Sequence, residues 1–193
     1  MKYRFIHALY IIITYIGFTM SVQAQHVKPI QLETEDGIIW TANRKLKTSD
    51  FLGKTKSKAS GKALTGANII IIPYTYNNGK YQYQVLAKFY KKLSWINTDS
   101  NYILDHEQLH FDIAELFARK MRQEIHLVKQ RSGTVLETDY RRIHKTLFQD
   151  YINFQKLYDT ETKHSTIKDA QQKWNVLIAK KLESLNAYTL NLL

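Results

Sequence analysis

The sequence has no cysteine and only two prolines among its 193 residues. Without cysteine the chain forms no disulfide and carries no lipid anchor on a cysteine, and histidine, aspartate or glutamate must hold any bound metal. Acidic side chains are also few, 17 against 28 lysines and arginines, which gives a formal net charge of +11. Since the basic residues are scattered along the chain, we interpret them as a solvated surface and expect no nucleic-acid partner.

A long uninterrupted apolar run is also missing. The apolar stretch at residues 6–18 is broken by polar residues and glycine, and it is shorter than the ~20 residues of a membrane-spanning helix. Basic residues precede it and Val22-Gln23-Ala24 follows it, as in a secretory signal. We therefore predict a signal peptide at 1–24, a periplasmic or extracellular location and no stable membrane span after cleavage. The remaining 193 − 24 = 169 residues are enough for a single domain at 25–193.

Before about residue 97 the patterns are typical of β-strands. The β-branched and aromatic run at 68–76 and the partly alternating run at 81–87 flank Asn78-Gly79, which predicts a β-hairpin. Pro73 lacks a backbone N–H, so its strand should be an edge strand or contain a bulge. Residues 53–66 are rich in glycine, serine, lysine and threonine, and we predict an exposed loop there.

After residue 97 the patterns are helical. Asp99 or Ser100 can cap the first predicted helix, and Gly133, a residue suited to a helix C-terminus, stops it. A capping box, Thr134-Val-Leu-Glu137, predicts the start of a second helix, and Ser165 or Thr166 can start a third. The predicted fold class is α+β, with an N-terminal antiparallel sheet followed by three helices.

Residues 106–110 read His-Glu-Gln-Leu-His, the HExxH pattern. Residues four apart lie on one face of a helix, so His106 and His110 can bind the same Zn²⁺, as in a zincin-like helix. Glu107 lies beside them, where its carboxylate can take a proton from an activated water. The helix face that carries the two histidines is predicted to face the protein core, because apolar residues continue it at steps of three and four. These residues are Ile113, Ala114, Phe117, Met121 and Ile125.

Catalytic zinc has three protein ligands, and HExxH supplies two. We considered His164, Glu115, Asp112 and His144 as the third. Glu115 and Asp112 lie well off the face of the histidine pair and are better suited to orienting a ligand or capping structure. His144 lies between basic residues and resembles a surface residue, whereas His164 lies in a loop that returns after a two-helix excursion.

The stretch His106-Glu-Gln-Leu-His-Phe-Asp-Ile-Ala-Glu115 resembles the signature of a bacterial family described as predicted secreted zinc-dependent proteases, of otherwise unknown function. The resemblance extends over about residues 38–178. It includes Ser94-Trp95 upstream, and Tyr158-Asp159-x-x-Thr162-x-His164 downstream. One departure is Ser165, because the family pattern has glycine after the downstream histidine.

This resemblance implies a zinc metallopeptidase, a hydrolase acting on a peptide or protein substrate. It implies Zn²⁺ held by His106, His110 and His164, with Glu107 as the general base. Tyr158 would help to stabilise the oxyanion. Two alternatives remain at this stage: a non-catalytic, zinc-stabilised binding module of the cell envelope, and a metal-free interaction domain.

Overall fold

The computed structural model describes residues 29–55, 61–77 and 80–190. The predicted signal peptide at 1–24 and the Asn78-Gly79 turn lie outside these residues. Within the described residues, five strands precede three helices: β1 Gly37–Ile39, β2 Ala63–Leu64, β3 Ala67–Asn77, β4 Lys80–Tyr90, β5 Trp95–Ile96, α1 Asn101–Ser132, α2 Glu137–Thr162 and α3 Lys168–Ser184. The predicted α+β class, with antiparallel sheets before three helices, is confirmed.

The larger sheet has the strand order β1-β4-β3 and is antiparallel. The predicted hairpin is confirmed, since β3 pairs with β4 from Ala67↔Phe89 to Asn77↔Lys80. The register shifts between Pro73 and Thr75, and β3 is an edge strand. A proline in this strand is therefore tolerated for both predicted reasons, because an edge and a bulge each leave a backbone position without a ladder hydrogen bond.

The segment predicted as a loop at 53–66 is only partly irregular. Ala63 and Leu64 form β2, which pairs with Trp95 and Ile96 of β5 in a second, two-stranded sheet. Two residues are too few to show alternation in the sequence, so the strand depends on its partner rather than on its own pattern. The Thr65 hydroxyl donates to the Glu107 carbonyl oxygen at 3.2 Å, which fixes this segment beside α1.

The first helix has the predicted limits, while the other two begin later than predicted. Gly133 ends α1 at a φ of 71°, a left-handed conformation that glycine adopts without a steric penalty. The predicted capping box at 134–137 is wrong. The N-cap of α2 is Leu136, whose N–H donates to the Asp139 carboxylate at 3.0 Å.

Helix α1 forms the centre of the core and packs between the larger sheet and the other two helices. Phe111 contacts Phe89 of β4 with ring centroids 5.8 Å apart, and Phe117 contacts Tyr151 of α2 at 5.9 Å. The predicted inward face is buried, with Ile125 partly so, but Leu116 and Ala118 on other faces are buried too. Burial on most sides fixes the rotation of α1, and therefore the direction in which its histidines point.

No helix in the described part of the chain is long and apolar enough to cross a membrane.

Candidate metal centre

Three potential metal ligands meet where the N-terminal third of α1 faces the C-terminal end of α2. The Nε2 atoms of His106 and His110 lie 3.3 Å and 3.1 Å from Oδ1 of Asp159. Ligand atoms of the three residues all lie within 4.8 Å of one another. His106 and His110 are one turn apart on α1, and Asp159 faces them from α2, so the helix packing itself assembles a group that can hold a metal ion.

Each histidine is oriented by a glutamine side chain. Oε1 of Gln155 lies 2.6 Å from Nδ1 of His110, and Nε2 of the same amide donates to the His110 carbonyl oxygen at 2.9 Å. Oε1 of Gln171 lies 2.8 Å from Nδ1 of His106, and its Nε2 donates to Asn175 at 2.8 Å. An amide oxygen only accepts hydrogen bonds, so this network assigns the proton of each ring to Nδ1.

In this tautomer the two Nε2 atoms direct their lone pairs at the Asp159 carboxylate. Acceptors that face each other at 3.1–3.3 Å need a proton or a cation between them. Burial lowers the pKa of His110, but the hydrogen bond with Asp159 and the charges of Glu107 and Asp159 outweigh burial and raise it. Burial raises the pKa of Asp159, yet hydrogen bonds with His106 and His110 hold it well below its usual range.

Tyr158 lies behind His106, on the side of the ring that faces away from Asp159. Its hydroxyl is 2.7 Å from Nδ1 of His106 and donates to Oε1 of Gln171 at 2.7 Å. Its ring stacks on the His106 ring at 4.6 Å. Burial raises the pKa of Tyr158 well above its usual range. Oxyanion stabilisation, the role implied by the resemblance, requires a hydroxyl in the cleft, and this position instead suits orienting His106.

Glu107 is 5% exposed, and its Oε2 has no hydrogen-bond partner among the described residues. A buried carboxylate oxygen without a partner is costly unless a ligand or proton uses it. The charge of Glu107 raises the pKa of His110, so the carboxylate lies within electrostatic range of the histidine pair. Glu107 therefore lies beside the two histidines, as the sequence predicts.

His164 is not part of the group formed by His106, His110 and Asp159. Its side chain is 79% exposed, and its Nδ1 lies 3.4 Å from Oδ1 of Asp159. It follows α2 in a turn where Lys163, His164 and Ser165 all have positive φ, at 46°, 50° and 68°. His164 therefore lies beside the candidate centre, and its role as a ligand stays a prediction.

The other residues considered as a third ligand are occupied elsewhere. Asp112 accepts from the Trp40 indole at 2.6 Å and from Gln108 at 2.8 Å. Glu115 accepts from Nε of Arg119 at 3.0 Å and from Arg122 at 2.5 Å. These contacts differ from the predicted roles, because neither carboxylate orients His106 or His110 or caps a helix through them. His144 stacks on Phe148 at 5.1 Å, and its Nε2 lies 3.4 Å from the carbonyl oxygen of Ile69 in β3.

Asp159 was the ligand candidate that sequence reasoning missed. Its signal was its place in the Tyr158-Asp159 pair of the family-like pattern and its spacing from Gln155. Residues four apart on α2 share a face, so Gln155 and Asp159 lie on the same side of the helix. Asp159, next to Tyr158 in that pattern, could therefore have been considered as a metal ligand together with the histidines.

The candidate centre opens into a cleft of about 1380 Å³. Its lining includes the segment 61–65 around β2, the N-terminal half of α1 and the turn at 163–166. This volume exceeds the ~300–1,000 Å³ typical of small-molecule pockets. The cleft can therefore accept a segment of a polymer.

A family model described as a bacterial protein of unknown function (DUF922) matches residues 81–165. The matched stretch runs from β4 to the turn after α2, and it contains His106, Glu107, His110 and Asp159. The match supports a bacterial domain of unknown function, and its description names no activity. No curated protein and no solved structure matches the chain.

Proposed function

We propose that this protein is an exported zinc-dependent peptidase. The observation that carries the proposal is the convergence of two Nε2 atoms and a carboxylate oxygen beside the unpartnered carboxylate oxygen of Glu107. These groups are the ligand set and the base that hydrolysis by a metal-activated water requires. Export rests on the signal-like pattern at 1–24.

The three side chains fit a zinc ion. Zinc with ligand bonds of ~2.0–2.1 Å in a tetrahedron separates its ligand atoms by roughly 3.3–3.4 Å. The His106–Asp159 and His110–Asp159 separations of 3.3 Å and 3.1 Å are close to this value. We propose Asp159 as the third ligand in preference to His164, because Asp159 lies within reach of both histidines and His164 is largely exposed.

When bound, zinc supplies a Lewis acid that lowers the pKa of a water molecule. Glu107 then accepts the proton through Oε2 and can return it to the leaving amine. Gln155, Gln171 and Tyr158 hold the two imidazoles with Nε2 facing the centre. The cleft binds the peptide and excludes bulk water from the part of the peptide that lies inside it.

Metal content provides the first test. Purified protein should contain about one zinc per chain by elemental analysis, a stoichiometry expected for a three-ligand centre. His106→Ala and His110→Ala should each lose it, while His144→Ala, a change in a histidine outside the group, should retain it. Absence of bound metal in the wild-type protein, after purification without chelators and incubation with zinc, would contradict the proposal.

Cleavage provides the second test. The zinc-loaded protein is incubated with an unbiased peptide library, and Glu107→Gln is compared with Glu183→Gln, an exposed glutamate on α3. Glu107→Gln should keep its zinc but lose activity by at least ~10²-fold, the contribution of a general base, and Glu183→Gln should match the wild type. Zinc binding with no cleavage that Glu107→Gln abolishes would instead favour the zinc-stabilised binding module.

A further inference from the structure

Four lysines lie on the wall of the same cleft: Lys54, Lys62, Lys92 and Lys163. They come from three parts of the chain, since Lys54 and Lys62 both belong to the stretch 53–66, and all four side chains are exposed. Lys62 directly precedes β2, and Lys163 follows the last residue of α2. The fold therefore brings together lysines from three stretches that are well separated in the sequence.

The acidic side chains of the described cleft lining do not neutralise these lysines. Glu107 and Asp159 are its acidic members. Asp159 is held by the histidines, and Glu107 is 5% exposed. Lys92 pairs with Asp36 at 3.3 Å, outside the cleft. Lys54, Lys62 and Lys163 form no ion pair or side-chain hydrogen bond within the part of the chain that the structure describes.

We infer that the cleft selects peptides that carry acidic side chains close to the bond placed at the candidate centre. This inference rests on the proposed function. A neutral peptide leaves the three unpaired ammonium groups facing water, whereas carboxylates on the peptide form exposed ion pairs with them. Three such pairs together correspond to roughly 3- to 100-fold in affinity. The net charge, +11 for the full sequence and +9 without Lys2 and Arg4 of the predicted signal peptide, also attracts an acidic chain towards the protein.

Binding, measured without cleavage, tests the inference. Zinc-loaded Glu107→Gln is titrated into a fluorescent peptide that has glutamate and aspartate at alternate positions, and into the matched peptide with glutamine and asparagine. Fluorescence anisotropy gives both dissociation constants. The acidic peptide should bind about tenfold more tightly at low salt, and the difference should shrink as ionic strength rises. Equal binding of the two peptides at low salt would overturn the inference.

A matched pair of triple variants separates the cleft from the overall charge. Lys54→Gln, Lys62→Gln and Lys163→Gln in one protein should remove most of the preference for the acidic peptide. Lys145→Gln, Lys173→Gln and Lys180→Gln in another remove the same charge from exposed positions of α2 and α3 and should keep it. Equal loss of the preference in both triple variants would make it a property of net charge and overturn the inference.

The outcomes also distinguish this inference from the proposed function. If the protein binds the acidic peptide selectively but cleaves no peptide, the selectivity of the cleft is supported and the proposed peptidase function is contradicted. Cleavage of neutral and acidic peptides with equal efficiency supports the peptidase and removes the selectivity. In a competition experiment, an acidic polysaccharide is compared with the unlabelled acidic peptide for displacement of the labelled acidic peptide. Displacement by the polysaccharide at the lower concentration would contradict the inference that the cleft binds peptides.

Discussion

The glutamine contacts at the candidate centre fix the direction of both histidine rings. Gln155 and Gln171 accept from the Nδ1 atoms at 2.6 Å and 2.8 Å. Partners of this kind fix the tautomer and ring orientation of a metal-binding histidine and increase its basicity. They belong to α2 and α3, so the two helices that surround α1 prepare its histidine pair before any ligand binds.

Gln155→Leu should weaken zinc binding by roughly 10–100-fold. The change removes the acceptor of His110 Nδ1–H and the donor to the His110 carbonyl oxygen, while it keeps most of the side-chain volume. Competition with a calibrated chelator measures the affinity. Gln172→Leu, an exposed position on α3, is the control and should bind zinc like the wild type. An unchanged affinity in Gln155→Leu would remove the orienting role.

Glu33 makes stability depend on pH. Its carboxylate accepts from Arg44 at 2.9 Å and from Lys91 at 2.7 Å, and these hydrogen bonds lower its pKa to about 2. Since the folded pKa lies below the ordinary value of 4.5, the stabilisation is fully present above pH 4.5. It is lost as pH falls through about 2. The side chain is 41% exposed, so we expect at most about 1 kcal/mol after solvent screening.

Urea unfolding between pH 2 and pH 7 checks this expectation. Wild type should be more stable than Glu33→Gln at pH 7, and the difference should disappear towards pH 2. Glu35→Gln is the control, because Glu35 forms no ion pair among the described residues. A difference between wild type and Glu33→Gln that stays constant over this range would contradict the assignment.

The sequence was sufficient for those site residues that depend on local geometry. His106, Glu107 and His110 follow from the helical spacing of five residues, whatever the rest of the chain does. Asp159 could not be found in this way. Its approach to the pair depends on how α2 packs against α1, a long-range property that the periodicity of a single helix does not contain.

At the scale of elements, the turn between α2 and α3 is the most constrained part of the site. Lys163, His164 and Ser165 are consecutive non-glycine residues with positive φ, and each is disfavoured sterically. The expected glycine after His164 now has a physical reason, since Ser165 has a φ of 68°. Ser165→Gly should therefore stabilise the protein, because glycine adopts this conformation without a clash.

The net gain for Ser165→Gly should be up to about 1 kcal/mol, the left-handed penalty of about 1–2 kcal/mol less the entropy cost of glycine. Thermal unfolding should show a rise of about 2–4 °C. Ser165→Ala keeps the Cβ atom and removes only the hydroxyl, so it should give no such rise. Ser165→Gly without a gain over Ser165→Ala would show that the turn stores no backbone strain at this position.

The elements differ in how well their ends could be predicted. Gly133 supplies a local reason for α1 to end, because few other residues adopt its φ of 71° at low cost. The start of α2 offered two competing carboxylates, Glu137 and Asp139, and the Asp139 carboxylate accepts from the Leu136 N–H. Strand β2 exists only through pairing with β5, so its short sequence carries no independent signal.

For the molecule as a whole, a buried ion network joins α1 to the rest of the fold. Glu115 is 1% exposed and accepts from Arg119 and Arg122. Arg119 also donates to the Leu182 carbonyl oxygen at 2.6 Å. Arg122 donates to the carbonyl oxygens of Val85 at 2.7 Å and Tyr188 at 2.7 Å. One carboxylate thus positions two arginines that bind the sheet, the end of α3 and the segment after it.

Glu115→Gln should destabilise the protein strongly, by about 3–5 kcal/mol, because it leaves two buried guanidinium groups without their counter-charge. Burial raises the pKa of Glu115 even against these arginines, which reflects how fully this site is removed from water.

Urea unfolding measures the loss of stability in Glu115→Gln. Glu137→Gln is the matched control, since it removes the partner of Arg141 in an exposed i,i+4 pair, and it should change stability little. At temperatures where Glu115→Gln is folded it should still bind zinc, since Glu115 does not contact the candidate centre. A loss below about 1 kcal/mol would show that water or repacking replaces the carboxylate, and the network would then not hold the fold together.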